Sequence, residues 1–140
     1  MSTDDPHLLF RHPSRHVRRT PLREFLTALE TRVAKGRALT CLITTDAELK
    51  RLNHRFRKKN YATDVLSFPP GEMAISLDRA AAQAKELGHS LDEELRILML
   101  HGALHLCGMD HESDAGEMRR AETRWRKKFE LPSGLIERAQ

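Results

Sequence analysis

The sequence predicts one domain that mixes short strands with helices around a single buried helix. Three observations carry this. The 140 residues suit one core and are too few for two comfortable ones, and no repeat, low-complexity tract or long linker divides them. Short β-branched runs are interspersed with stretches whose apolar residues recur at helical spacing. From Ile97 onward ILMLHGALHL is apolar nearly all round, the mark of a helix enclosed on every side.

In chain order, LLFRH (8–12) reads as a first strand. Thr20-Pro21 supplies a cap and a first helical residue. The helix they open runs to about Val33, with Leu22, Phe25, Leu26, Leu29 and Val33 on one face, and Gly36 breaks the pattern. Leu39 to Thr44 reads as a strand. Thr45 and Glu48 form a capping box for a helix to about Lys58. Leu49, Leu52 and Phe56 lie along one stripe of it, Arg51, Arg55 and Lys58 lie opposite, and Asn53 and Arg57 fall on the border. TDVLSFPP (63–70) is a strand halted by two prolines, suited to a sheet edge or the approach to a loop. EMAISL (72–77) is another strand, and LDRAAAQAKEL (77–87) a helix stopped at Gly88, where a left-handed residue is needed. Ser90 with Glu93 caps the buried helix, which runs to about Cys107. A last helix spans about Asp114 to Glu130, with Arg124, Arg126, Lys127 and Lys128 near the end that its dipole favours.

Composition narrows the partners. Net charge is +4, but residues 1–61 hold 14 Lys/Arg against 6 Asp/Glu, while the remainder holds 10 against 14. KRLNHRFRKK (50–59) carries six cations and no acid, a field that attracts polyanions, of which nucleic acid is the commonest. Cys41 and Cys107 are too few for a disulfide framework and read as reduced thiols of a cytosolic protein. No run approaches the roughly 18 apolar residues of a membrane span, and the N-terminus lacks the order of a secretory signal. A soluble cytoplasmic protein is expected.

The chemistry concentrates in HGALHLCGMDH (101–111). His101 and His105 are one helical turn apart and point the same way. Gly108 stands where the helix should end, and its freedom to turn left-handed can bring His111 back over the same point. Three imidazoles can seat one metal ion and leave a tetrahedral position open for water, the signature of catalytic rather than structural zinc. The order His-x3-His-x2-Gly-x2-His is that of a long zinc-protease motif, but Gly102 stands where that motif has its general-base glutamate. The peptidase mechanism therefore lacks its proton acceptor. Gly102 either opens space beside the ion or permits close helix packing.

HGALHLCGMDH resembles the signature of the YbeY family of bacterial endoribonucleases, the rRNA maturation factors. LNHRFRKKNYATDVLSFP (52–69) resembles the family's second block, and GEMAIS (71–76), AAAQAKELGHS, Glu94, Glu117, Met118 and Glu122 fall in the expected order. The similarity covers about residues 40–130, and the first 40 residues carry little of it. Two departures are visible: the loop between Phe68 and Gly71 is only PP, and Glu72 stands where an aspartate is usual.

The resemblance implies a single-domain α+β, zincin-like fold with a small mixed sheet packed by helices around the central ligand-bearing one. It implies Zn²⁺ on His101, His105 and His111, one ion per chain, and hydrolysis of single-stranded RNA. It also implies work on the 3′ end of 16S rRNA and in ribosome quality control, with the small ribosomal subunit and its assembly proteins as partners. Neither DNA nor membrane is expected as a partner. The family's functional arginine falls on Arg57, whose planar fork suits a phosphate. Asp110, beside His111, is a candidate for orienting an imidazole or moving a proton, although a turn aspartate is the commoner meaning. Asp64 and Ser67 are candidates either for lining the cleft or for capping a strand end. Lys50, Arg51, Arg55, Lys58 and Lys59 would guide the RNA backbone, with Asn53 a further contact. One Trp, one Tyr and five Phe offer few platforms for stacked bases, so binding should be mainly electrostatic. Two other readings stay open. Another zinc hydrolase would need an acidic base near the ion. An assembly factor with structural zinc would need a fourth protein ligand, for which Asp110 is the candidate.

Overall fold

A computed structural model describes residues 7–57 and 63–138, with Arg57 given by its backbone. Four strands, β1 (Leu8–Arg11), β2 (Thr40–Thr44), β3 (Val65–Phe68) and β4 (Glu72–Ser76), form one sheet in the order β1-β2-β4-β3. The first two neighbour pairs are parallel and β3–β4 is antiparallel, so the sheet is mixed and TDVLSFPP supplies an edge, as its prolines predict. Pro69, Pro70 and Gly71 make the turn, and Phe68 pairs with Glu72, the first residue of β4.

Side chains alternate across this sheet with the strand period. Cys41, Ile43, Met73 and Ile75 face the main core, which α1 (Arg19–Ala28) and α4 (Leu91–Leu106) close. Leu42, Leu66, Phe68 and Ala74 face the other way, onto Leu49 and Leu52 of α2 (Asp46–Arg57). The remaining helices are α3 (Leu77–Leu87), α5 (Glu117–Lys128) and the short α6 (Leu135–Arg138). Cys41 and Cys107 are free thiols, and burial pushes that of Cys41 up to about 12.

Helix α4 is central, as its apolar run predicts. Leu95, Leu98, Met99, Leu100 and Leu104 are all buried, each worth about 1.5–3 kcal/mol, which offsets the cost of carrying Glu94 and His101 in the same interior. Ser90 and Glu93 form the expected capping box, and Gly88 closes α3 at φ 75°. The carboxylate of Glu94, fully buried, accepts from His89 Nε2 at 2.6 Å and Arg138 Nη1 at 2.8 Å, pinning α6 against α4.

Five expectations are corrected. Arg18, not Thr20, precedes the first helical residue of α1, so Thr20 and Pro21 lie inside the first turn. Beyond Ala28 the helix widens to a π-turn over Leu29–Val33, in which Ala34 N–H reaches back to Leu29 O at 2.8 Å. Phe56 does not join the apolar stripe of α2: it is 58 % exposed, with the edge of Phe68 5.7 Å away between centroids. Asn53, expected at the solvent border, is buried. Helix α5 starts at Glu117 rather than Asp114, because the Asp114 carboxylate accepts from Gly116 N and Met118 N and so caps the turn from outside.

Candidate metal centre

Helix α4 carries His101 and His105 on one face, one turn apart. It ends at Leu106, and Gly108 takes the left-handed φ of 91° that reverses the chain and returns His111 to the pair. One ring nitrogen from each of the three histidines lies within 4.8 Å of the others, so the group can hold a metal ion. His101 Nδ1 donates to Glu122 Oε2 at 2.7 Å, and His105 Nδ1 donates to the carbonyl of Met109 at 2.9 Å. Both acceptors are oxygens without a proton, so each neutral ring keeps its proton on Nδ1 and presents a lone pair at Nε2. The two Nε2 atoms stand 3.2 Å apart, near the roughly 3.3 Å edge of a tetrahedron with bonds of about 2.05 Å. Two facing lone pairs repel unless a cation lies between them. Burial, and after it the neighbouring His101, holds His105 below its ordinary pKa and favours the neutral form that ligation needs. Nδ1 of His111 is buried and, among the described residues, has no hydrogen-bond partner. The donor set, the spacing and the orphaned nitrogen fit a divalent ion.

Oxygen atoms outside the triad set the ring directions. Glu122 is buried and spends both oxygens, Oε2 on His101 and Oε1 on the Ile136 amide at 2.7 Å. Sequence reasoning gives Glu122 no role. Its signal is an acid on the apolar face of α5, in register with Met118 and Ala121. Asp110 is exposed and engaged in its own turn, accepting from Glu112 N at 3.1 Å and Ser113 Oγ at 3.1 Å. Those hydrogen bonds hold its carboxyl below the usual range, and the turn-aspartate reading describes its contacts.

The triad opens into a cleft of about 430 Å³ whose walls include Asn53, Asp64, Ser67, Pro69 and Leu135. Asp64 and Ser67 thus line it as well as serving the fold: Asp64 Oδ1 accepts from Val65 N, and Ser67 Oγ donates to Gly102 O at 3.1 Å. A Cβ on Gly102 would stand 3.0 Å from Met73 Sδ and 3.4 Å from both Ser67 Oγ and Val65 Cγ2. Gly102 therefore faces the sheet and serves close packing, not space beside the ion. A glutamate there would run into the strands.

Of the cations proposed on α2, Lys50, Arg51 and Arg55 are exposed; Arg51 pairs with Glu48, and the Arg55 guanidinium lies 5.2 Å from the Phe56 ring centroid. Arg57 is the last residue of α2. Lys58 and Lys59 lie outside the described residues.

The model of the Endoribonuclease YbeY family matches residues 14–130. An Endoribonuclease YbeY of Solibacter usitatus is 53 % identical over 99 % of this chain and 98 % of its own length. The chain belongs to this family. Another YbeY relative, from Helicobacter pylori, is 39 % identical over 86 % of this chain and 94 % of its own. A solution structure from Thermotoga maritima superposes with a TM-score of 0.56 at 25 % identity, covering 89 % of this chain and 93 % of that one. The match to the YbeY model reaches well before residue 40, so α1 and its approach belong to the similarity, beyond the span of about 40–130 that the motifs alone mark out.

Proposed function

We propose that this chain is a zinc-dependent endoribonuclease that cuts single-stranded RNA, matures the 3′ end of 16S rRNA and takes part in ribosome quality control in the cytoplasm. The observation that carries the chemistry is the convergence of His101, His105 and His111, two of them with fixed Nδ1 protons, at the floor of an open cleft. The relatives named as endoribonucleases supply the substrate class.

When bound, a zinc ion supplies Lewis acidity and brings the pKa of water down to about 7. The chain's own residues do the rest. The three imidazoles seat the ion, Glu122 and the Met109 carbonyl aim two of them, and Arg57 binds the phosphate and offsets charge gathering on it. Lys50, Arg51, Arg55, Lys58 and Lys59 draw in the backbone, Asn53 contacts RNA from the cleft wall, and Asp110 shapes the turn that presents His111. The small ribosomal subunit and its assembly proteins deliver the substrate, and the whole of residues 1–140 acts as one catalytic domain. The Gly102 seam argues against a peptidase, since it leaves no place for the missing base. Asp110, spent on its own turn, argues against a fourth ligand closing a structural site.

The test incubates purified protein with single-stranded and duplex RNA, with and without chelator. Cleavage of the single strand only, abolished by chelator and in His105→Ala, is expected. Arg57→Ala should lose cleavage while keeping its zinc. Cleavage that survives both chelation and His105→Ala would overturn the reading.

A further inference from the structure

The half of the chain after residue 61 is net acidic, yet α5 turns a cationic face outward. Arg119, Arg120, Arg124 and Lys127 are exposed and, with Thr123, line one shallow concavity of about 510 Å³. Its acids are elsewhere: Glu122 is buried against His101, and Glu117 accepts from Ala115 N. Arg15, Arg51, Arg79, Arg96 and Arg126 each face a carboxylate. None of the four cations in the concavity makes an ion pair among the described residues; Arg120 reaches only the Ala115 carbonyl, at 3.3 Å.

Helix stability does not account for this placement. Cations at the C-terminal end suit the dipole, which covers Lys127. Arg119 and Arg120 sit in the first turn after the Gly116 cap, the end where a cation is disfavoured. Arg120 and Arg124 are also a like-charge pair one turn apart, and such a pair costs a few tenths of a kcal/mol. A polyanion laid along the face would relieve both penalties. Thr123 is the one uncharged residue of the lining and the apolar part of the surface is the aliphatic stems of the cations, so no large apolar side chain is offered as a wedge for a membrane or as the core of a protein interface. From Arg119 to Lys127 it runs about 12 Å along the helix, enough for more than one phosphate.

We propose that this face of α5 is a second RNA-binding surface, which holds the phosphate backbone of the substrate outside the cleft, on the flank of the helix whose inner side aims His101. The proposal rests on the endoribonuclease reading for the identity of its polyanion.

The experiment measures binding of a 30-nucleotide single-stranded RNA across a salt series, alongside cleavage of a four-nucleotide RNA that fills only the cleft. Two variants are compared with the unaltered zinc-loaded protein. One is Arg119→Gln with Arg120→Gln, Arg124→Gln and Lys127→Gln. The other, Arg124→Glu with Lys127→Glu, spares the Arg120 hydrogen bond. Removing one cation–phosphate pairing should flatten the plot of log K against log salt by about 0.7, and removing all four by close to 3. The dissociation constant for the long RNA should rise roughly tenfold or more at low salt, and cleavage of the short RNA should stay unchanged. A slope and affinity equal to the unaltered protein in both variants would overturn the proposal. So would weakened binding to anionic lipid vesicles or to an acidic protein with RNA binding untouched. Short-RNA cleavage by the unaltered protein reports on the ribonuclease reading alone, and the salt slope reports on α5 alone, so the two fail separately.

Discussion

Replacing Glu122 by glutamine keeps the shape of the side chain but puts an NH₂ donor where one acceptor oxygen stood. Both carboxylate oxygens are used, Oε2 by His101 Nδ1 and Oε1 by the Ile136 amide, each at 2.7 Å in a buried site. Glutamine offers one oxygen and one NH₂. If the NH₂ faces Ile136, two donors meet, and a buried donor left unsatisfied costs about 1–3 kcal/mol. If it faces His101 instead, the imidazole must accept at Nδ1 and move its proton to Nε2, the atom that has to present a lone pair to the metal. Loss of such an orienting partner costs about 10–100-fold in metal affinity. We therefore expect Glu122→Gln to bind Zn²⁺ more weakly by that factor, to lose about 1–3 kcal/mol of stability, or to share the deficit between the two. Competition against a chromophoric chelator reads the affinity, and urea unfolding of the metal-free protein reads the stability. Unchanged values in both would refute the assignment of Glu122 as the group that aims His101.

Two further outcomes follow from the packing and from the charges. Gly102→Ala should gain about 1 kcal/mol of helix propensity but lose about 1–3 kcal/mol to overpacking, because the new methyl would stand 3.0 Å from the sulfur of Met73, which is itself buried; a net loss is expected as a lower urea midpoint, and a gain would mean a looser seam than described. The Arg126 guanidinium, with help from the Gly134 amide, holds the Glu137 carboxyl below its ordinary value of 4.5. The folded state thus binds fewer protons there than the unfolded one, so the stabilisation is present above pH 4.5 and fades as pH falls through the lowered value. The protection of the α6 amides, taken relative to their intrinsic exchange at each pH, should fall in that acid range, and Glu137→Gln should remove that fall; protection that is flat with pH in the unaltered protein would count against the pairing.

Much of this site is legible in the sequence because its determinants are local. An i, i+4 histidine pair, a glycine at the helix stop and a capping box each speak within one or two turns, and Gly88, Gly108 and Ser90 behave as their types predict. Determinants that act across the chain are not legible. Nothing within a few residues of Phe56 announces how little of the fold will cover it, so an apolar residue in good register ends exposed. The π-turn keeps Leu29, Val33 and Ala34 buried by inserting a residue into the repeat, and apolar spacing reads the same with or without it. Gly102 is ambiguous because the strands that crowd it lie some 30 positions earlier in the chain. For Glu122 the sequence shows only an acid on an apolar face, not its partners, because the meaning of Glu122 and of the four-residue α6 is each other and His101.

That dependence gives the site an order of completion. A chain emerging residue by residue has its three imidazoles by position 111, yet the oxygen that turns the first of them appears only at 122, and the amide that steadies this oxygen only at 136. Until Ile136 has been synthesised, His105 already has its Met109 carbonyl, but the carboxylate that turns His101 lacks the amide that steadies it. The segment around residue 136 thus contributes no ligand, yet the cradle's first imidazole leans on it at one remove.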